Sequence, residues 1–220
     1  MTSTSLVVSE PRDVDQRLAE LGLDATVLNT AALQGFAGWA SCTKNHPPTY
    51  PGTVAWAEAT RALREGLFTR GWMRRNESNL PLVVNGGGTI AIAIASGDAE
   101  TGNKDGFPCT RSTRGVKTAE AVRVNRQQES FDFMDPIPVI ESINTTGVST
   151  WLFLIYRDLA TRTLRSELSR PISMNDEGRV NEWAERLILN PAPFADDPEV
   201  LADNNANQSP EVIVDIQKLG

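Results

Sequence analysis

The chain has 220 residues, enough to bury one ample hydrophobic core. Its 40% hydrophobic and 22% charged composition is that of a soluble globular protein, and no apolar run reaches the ~18 residues that a membrane span needs. A net charge of −7 excludes indiscriminate nucleic-acid binding by the whole surface.

Residues 1–8 read as a flexible leader, with no basic region and an apolar stretch, Leu6-Val7-Val8, too short for a secretory signal. Ser9 offers an N-cap and Pro11 a first-turn residue to a helix with Val14, Leu18 and Leu21 at i, i+4 and i+7, closed by Gly22. Asp24 caps a second helix whose stripe is Leu28, Ala32, Gly35, Phe36 and Trp39. Gly35 and Gly38 each weaken that helix by about 1 kcal/mol relative to Ala, which predicts a close packing contact. Pro47, Pro48 and Pro51 build a rigid loop. Thr53 then opens a strongly amphipathic helix, with Trp56, Ala59, Leu63 and Leu67 on one face and Glu58, Arg61 and Glu65 on the other.

Leu80–Val84 and Thr89–Ser96 flank Asn85-Gly86-Gly87-Gly88 and read as a β-hairpin, with Trp72–Arg75 a candidate third strand. In the returning strand Ile90, Ile92 and Ile94 point one way and Ala91, Ala93 and Ala95 the other. Neither face is polar, so the strand belongs inside a sheet covered on both sides, and the Ala face admits close approach. A polar connection of about twenty residues follows, long enough to need a reason. Val116–Gln128 reads as a helix, and 131–148 as a Pro-interrupted linker and candidate sub-boundary. A second hairpin spans 150–169. Trp151–Tyr156 is its apolar strand and Arg157–Thr161 its turn. On the return, Leu164, Ser166 and Leu168 alternate with Arg165, Glu167 and Ser169, which predicts one wet face. Val180, Trp183, Ala184, Leu187 and Ile188 have helical spacing behind Asp176, and predict a final helix ended by Asn190-Pro191. Residues 195–220 form an acidic, Asn-rich tail that reads as disordered, with a strand-like 212–216 suited to docking on a sheet edge.

This order predicts an α+β fold. A mainly antiparallel sheet is built from two hairpins (about 80–96 and 150–169) and packed with four to five helices in a single domain, 9–194.

Charge is unevenly placed. Arg61 to Arg126 holds eleven Lys and Arg against six Asp and Glu, a surplus of five, so the remainder carries −12. Solvated faces produce such asymmetry, and so does an anion site. Gly97-Asp98-Ala99-Glu100-Thr101-Gly102-Asn103-Lys104 has the glycine spacing of a phosphate-binding loop, but Asn103 stands where the motif requires Lys, and Asp98 and Glu100 repel phosphate. Asp98, Glu100 and Asp105 alternate as a loose divalent-cation set, without the sixth-position glycine of a calcium loop.

Arg111, Ser112, Thr113, Arg114 and Lys117 combine cations and hydroxyls at a helix start, the chemistry that holds an oxyanion; Arg123 and Arg126 follow on the same helix. Arg70, Trp72, Arg74 and Arg75 form a secondary basic-aromatic set. With Arg61 and Arg64 they also fit a winged-helix order, against which stand Glu58, Glu65 and the doubly apolar strand. The other four tryptophans read as core. His46 is the only histidine, and Cys42 and Cys109 lack metal spacing; they read as reduced cytoplasmic thiols. No cofactor and no membrane contact is implied.

The sequence therefore points to a soluble cytoplasmic accessory or regulatory protein. It acts through a protein partner or a second copy of itself, met by the 97–117 connection and the helix after it. The alternatives are a phosphate- or nucleic-acid-binding protein using Arg111, Arg114 and Lys117, and an enzyme with a dispersed carboxylate or metal site.

Overall fold

The computed structural model describes residues 5–132 and 147–194. The 131–148 linker, apart from its ends, and the 195–220 tail with its 212–216 segment therefore lie outside the described residues. In chain order the elements are β1 (Leu6–Val8), α1 (Pro11–Glu20), α2 (Ala25–Ala40), α3 (Tyr50–Phe68), β2 (Met73–Glu77), β3 (Leu80–Val84), β4 (Ile90–Ser96), α4 (Val116–Asp132), β5 (Ser149–Asp158), β6 (Thr163–Met174), β7 (Val180–Ile188) and β8 (Ala192–Pro193). The fold is α+β. One sheet runs β1-β7-β6-β5-β4-β3-β2, with β8 on β6. Both expected hairpins are present, β3–β4 and β5–β6, and β2 adds the third strand. The sheet is mixed, because β4 pairs with β5 in parallel through the α4 crossover, and β1 pairs with β7 in parallel.

β4 divides the interior. Ile92 and Ile94 join the larger core with α1, α2, α3 and the inner faces of β5 and β6, while Ala91, Ala93 and Ala95 meet Val122 of α4, Leu152, Leu154, Val180 and Trp183 on the other side. The small face thus admits a helix and a Trp rather than an open ligand cleft. A Cβ on Gly35 would lie 2.8 Å from the Ala55 carbonyl oxygen and 2.9 Å from Ala59 Cβ, so only glycine lets α2 approach α3 this closely; Gly38 sits against Glu58 and Val54 in the same way. Asp24 caps α2 as expected, accepting from the Val27 amide at 2.8 Å, and also pairs with Arg70.

Several expectations are corrected. The expected final helix is strand β7. Arg170 stands opposite Glu185 and Pro171 opposite Trp183, so Ala184 is an extra residue, and two further register shifts follow. Such bulges displace the strand's period of two by one residue. Val180, Trp183 and Leu187 thereby acquire helical spacing in an extended chain. Leu6–Val8, expected as frayed leader, forms β1. Trp56 is 37% exposed rather than core, whereas Trp72 is buried in the larger core and turns its ring inward instead of toward a partner.

Pro171 has no N–H for the β5–β6 ladder, and the regular pairing stops at Leu152–Ser169. Asn125 of α4 fills the gap. Its amide nitrogen donates to the Thr150 carbonyl at 2.7 Å and to the Pro171 carbonyl at 2.9 Å, and its oxygen accepts from the Thr150 amide at 3.0 Å. Asn125 is fully buried one turn from Val122 on the inner face of α4, so this exchange fixes the helix to the sheet.

Two stability outcomes follow from these contacts. Asn125→Ala strands three buried backbone groups and should cost about 2–4 kcal/mol in urea unfolding, since each buried orphan is worth about 1–3 kcal/mol before relaxation. Asp24→Ala should cost about 1 kcal/mol at pH 7. Burial opposes ionisation of Asp24, but the Val27 amide and Arg70 outweigh it and hold the carboxyl below its ordinary value of 3.8. Its contribution is therefore complete above that pH and is lost as pH falls through the depressed value, so the gap between wild type and Asp24→Ala should narrow in acid unfolding.

Candidate functional site: the clasped 97–115 loop

Glu167 and Ser169 lie on the face of β6 that the alternation marks as wet, yet both are fully buried. The connection after β4 covers them. Glu167 accepts four hydrogen bonds: Ser169 Oγ at 2.8 Å and Arg186 Nε at 3.0 Å on Oε1, Arg186 Nη2 at 2.7 Å and the Gly102 amide at 2.9 Å on Oε2. Arg186, 2% exposed, also donates Nη1 to the Gly106 carbonyl at 2.7 Å and Nη2 to the Asn103 carbonyl at 3.0 Å. One buried ion pair thus ties both sides of the 102–106 turn to β6 and β7.

Further anchors continue along the loop. Trp183 Nε1 donates to the Pro108 carbonyl at 2.8 Å. The Thr110 amide donates to the Val180 carbonyl at 2.9 Å, and Thr110 Oγ1 accepts from the Val180 amide at 3.1 Å. Asp98 accepts from the Glu100 and Cys109 amides, bridging the base of the loop. The Arg114 amide donates to the Gly178 carbonyl in the β6–β7 turn at 2.8 Å. Gly102 explains part of the phosphate-loop resemblance. Its φ is +73°, and its amide must reach Glu167, so glycine there serves the clasp.

The side chains on this frame divide sharply. Phe107 is 86% exposed and Val116 74% exposed, although the backbone on either side of them is pinned. Arg111 and Thr113 are exposed, Ser112 and Arg114 are half-buried, and Lys117 pairs with Glu120 at 2.8 Å. Arg123 and Arg126 lie on the exposed side of α4, opposite buried Thr118, Val122 and Asn125. In the secondary set Arg74 is exposed on β2, and the others have partners within the fold. Arg70 pairs with Asp24, Arg75 with Glu77, and Trp72 is core. Arg61 and Arg64 are likewise engaged, Arg61 by Glu58 and Glu65, Arg64 by the Arg75 and Leu82 carbonyls and Asn76.

Asp98, Glu100 and Asp105 each act locally: Asp98 on two amides, Glu100 on Asn103, Asp105 on Lys104. Among the described residues no group of three or more His, Cys, Asp or Glu side chains could hold a metal ion. His46 stacks on Tyr50 and accepts from the Thr43 amide at 3.0 Å, a turn-stabilising role. Burial raises the Cys42 thiol above its ordinary value, and burial with the Asp98 charge raises Cys109, the direction opposite to an activated thiolate. No helix of the described residues is long and apolar enough to cross a membrane.

Two groups escaped the sequence reading. Glu167 reads as part of a wet strand face and Arg186 as a polar position of an expected helix; Arg186 beside the apolar Leu187-Ile188-Leu189 run was the available signal. Arg157, assigned to a turn, lies in β5 with its guanidinium carbon 3.9 Å above the Trp39 ring. Comparison with protein-family models, curated proteins and solved structures finds no match to this chain.

Removing either half of the buried pair leaves the other charge unpaired. Glu167→Ala and Arg186→Ala should each cost about 3–5 kcal/mol. The double variant Glu167→Ala plus Arg186→Ala should cost less than the two single losses added together, as read by a double-mutant cycle in urea.

Proposed function

We propose that this chain is a soluble, cytoplasmic accessory or regulatory protein that works through a protein partner, and that the partner is met by the 97–117 connection and the first turn of α4. The observation that carries this reading is Phe107: an aromatic side chain 86% exposed on a loop whose backbone is held by a buried ion pair. Ordering a flexible loop on binding costs free energy for each immobilised residue, and a loop already fixed avoids that cost. Exposed aromatic side chains on a fixed frame are the anchors around which protein interfaces concentrate their energy. Val116, 74% exposed at the start of α4, extends the apolar contact, and Arg111 and Thr113 supply a polar rim. The two free cysteines, Cys42 and Cys109, suit a reducing compartment.

The test uses the full chain, tagged and expressed in its native cell, with Phe107→Ser compared against Phe68→Ser. Phe68 is 74% exposed at the end of α3 and serves as the control for general loss of apolar surface. Phe107→Ser should leave the unfolding free energy within about 0.5 kcal/mol of wild type. It should weaken the captured partner, or self-association by sedimentation, by at least ~30-fold, the size of a ~2 kcal/mol anchor. Phe68→Ser should change neither. Undiminished binding by Phe107→Ser, or equal loss in both variants, would remove the loop as the contact surface.

A further inference from the structure

We propose that Arg157 and Arg111 bind a phosphate group at the carboxyl ends of the parallel strands β4 and β5. This goes beyond the partner reading and does not depend on it.

The backbone brings the two arginines to one place. Ser96, the last residue of β4, is in register with Ile155 of β5, and the Gly97 amide donates to the Ile155 carbonyl at 3.0 Å. Arg157 is two residues beyond Ile155. The Arg111 amide donates to the Ser96 carbonyl at 2.8 Å, which fixes the returning loop over the same strand ends. The carboxyl ends of parallel strands joined by a crossover helix are where open sheets place their ligands, and β4–α4–β5 is such a unit.

The charges there lack compensation. Arg157 is partly buried, stacked on Trp39, and its Nε is sealed from solvent without a hydrogen-bond acceptor. No carboxylate pairs with either Arg157 or Arg111 among the described residues, whereas Arg165, Arg170 and Arg186 of the same sheet each have one. Asp158, the next residue on β5, turns to Arg165 instead. Burial, and after it the neighbouring Arg111 charge, pushes the Arg157 guanidinium down to about 10. Holding an unpaired cation against an aromatic ring beside a second cation costs stability. A hydrophobic side chain would pack on Trp39 without that cost. Two guanidinium groups match the two negative charges of phosphate, and Arg presents the fork that grips its oxygens. Lys117 pairs with Glu120 on the exposed side of α4, and Arg157, which the sequence does not mark, takes its place in the proposed set.

Thermal unfolding of the full chain tests this, with inorganic phosphate titrated against sodium chloride at matched ionic strength, and parallel titrations of glycerol 2-phosphate and acetate. Wild type should gain a saturable rise in Tm with phosphate. Arg157→Met and Arg111→Ala should each weaken the apparent affinity at least tenfold. In phosphate-free buffer Arg157→Met should unfold at the wild-type temperature or above it, which separates a ligand site from a structural one. Saturation by glycerol 2-phosphate as well as by the free ion identifies a phosphoryl group on a larger molecule; response to the free ion alone identifies phosphate itself. The proposal fails if phosphate acts no differently from chloride, if acetate reproduces the shift, if both variants keep the wild-type response, or if Arg157→Met lowers Tm in phosphate-free buffer.

Discussion

The buried pair between Glu167 and Arg186 holds this architecture together at the point where it is least regular. An ion pair out of water repays its desolvation only when the remaining lone pairs and protons also find partners. Here most do. Glu167 accepts four bonds, and Arg186, besides its two bonds to Glu167, donates to two backbone carbonyls of a loop with no regular structure of its own. A long polar connection would otherwise leave those carbonyls, and the Glu167 and Ser169 face of β6, to water. The pair converts the connection into a cover for the sheet, and what protrudes from the cover, Phe107 above all, is presented in a defined position.

A second irregularity cooperates with the first. Pro171 interrupts the β5–β6 ladder, and successive register shifts between Arg170 and Met174 redirect the end of the β6–β7 hairpin. Asn125 supplies the hydrogen bonds that the proline cannot, and the β6–β7 turn reaches the loop, where Gly178 accepts from Arg114. Without the break, Val180 and Trp183 would continue a flat strand. With it, they close over the alanines of β4. Proline, bulge and asparagine therefore act as one device that brings α4, the loop and the hairpin onto a common face.

The legible parts of the fold were those where local pattern and tertiary environment agree. The double apolar alternation of β4, the Asn-Gly-Gly-Gly hairpin, the Asp24 cap and the Gly35 contact are each properties of a few neighbouring residues. β7 misled because bulges gave an extended chain the spacing of a helix. The parallel pairing of β4 with β5 had no local signature, since both strands are apolar on both faces and could lie either way. At the site, the Arg and hydroxyl stretch was visible as composition. Its real neighbours were not: Arg157 arrives from a strand 46 residues further on, and the clasp joins residues that meet only through β6–β7 pairing. Basic residues nearby in sequence, Arg70, Arg75 and Lys117, turned to acidic partners, which composition alone does not reveal.

The strand β1 carries a consequence for how the chain is made. Leu6 pairs with Glu185, and Val8 with Leu187, so β1 is bound by a strand made about 180 residues after it. Until β7 is made, Leu6 and Val7 lack the edge they join. α1 meets the same delay, because Arg17 is gripped at 2.6 and 2.9 Å by Glu185. α2 and α3 pack on each other from contiguous sequence and need nothing downstream. The helical layer can therefore form from local sequence, with Val14 and Leu18 of α1 in the same core, while β1 has no partner until β7 has been made.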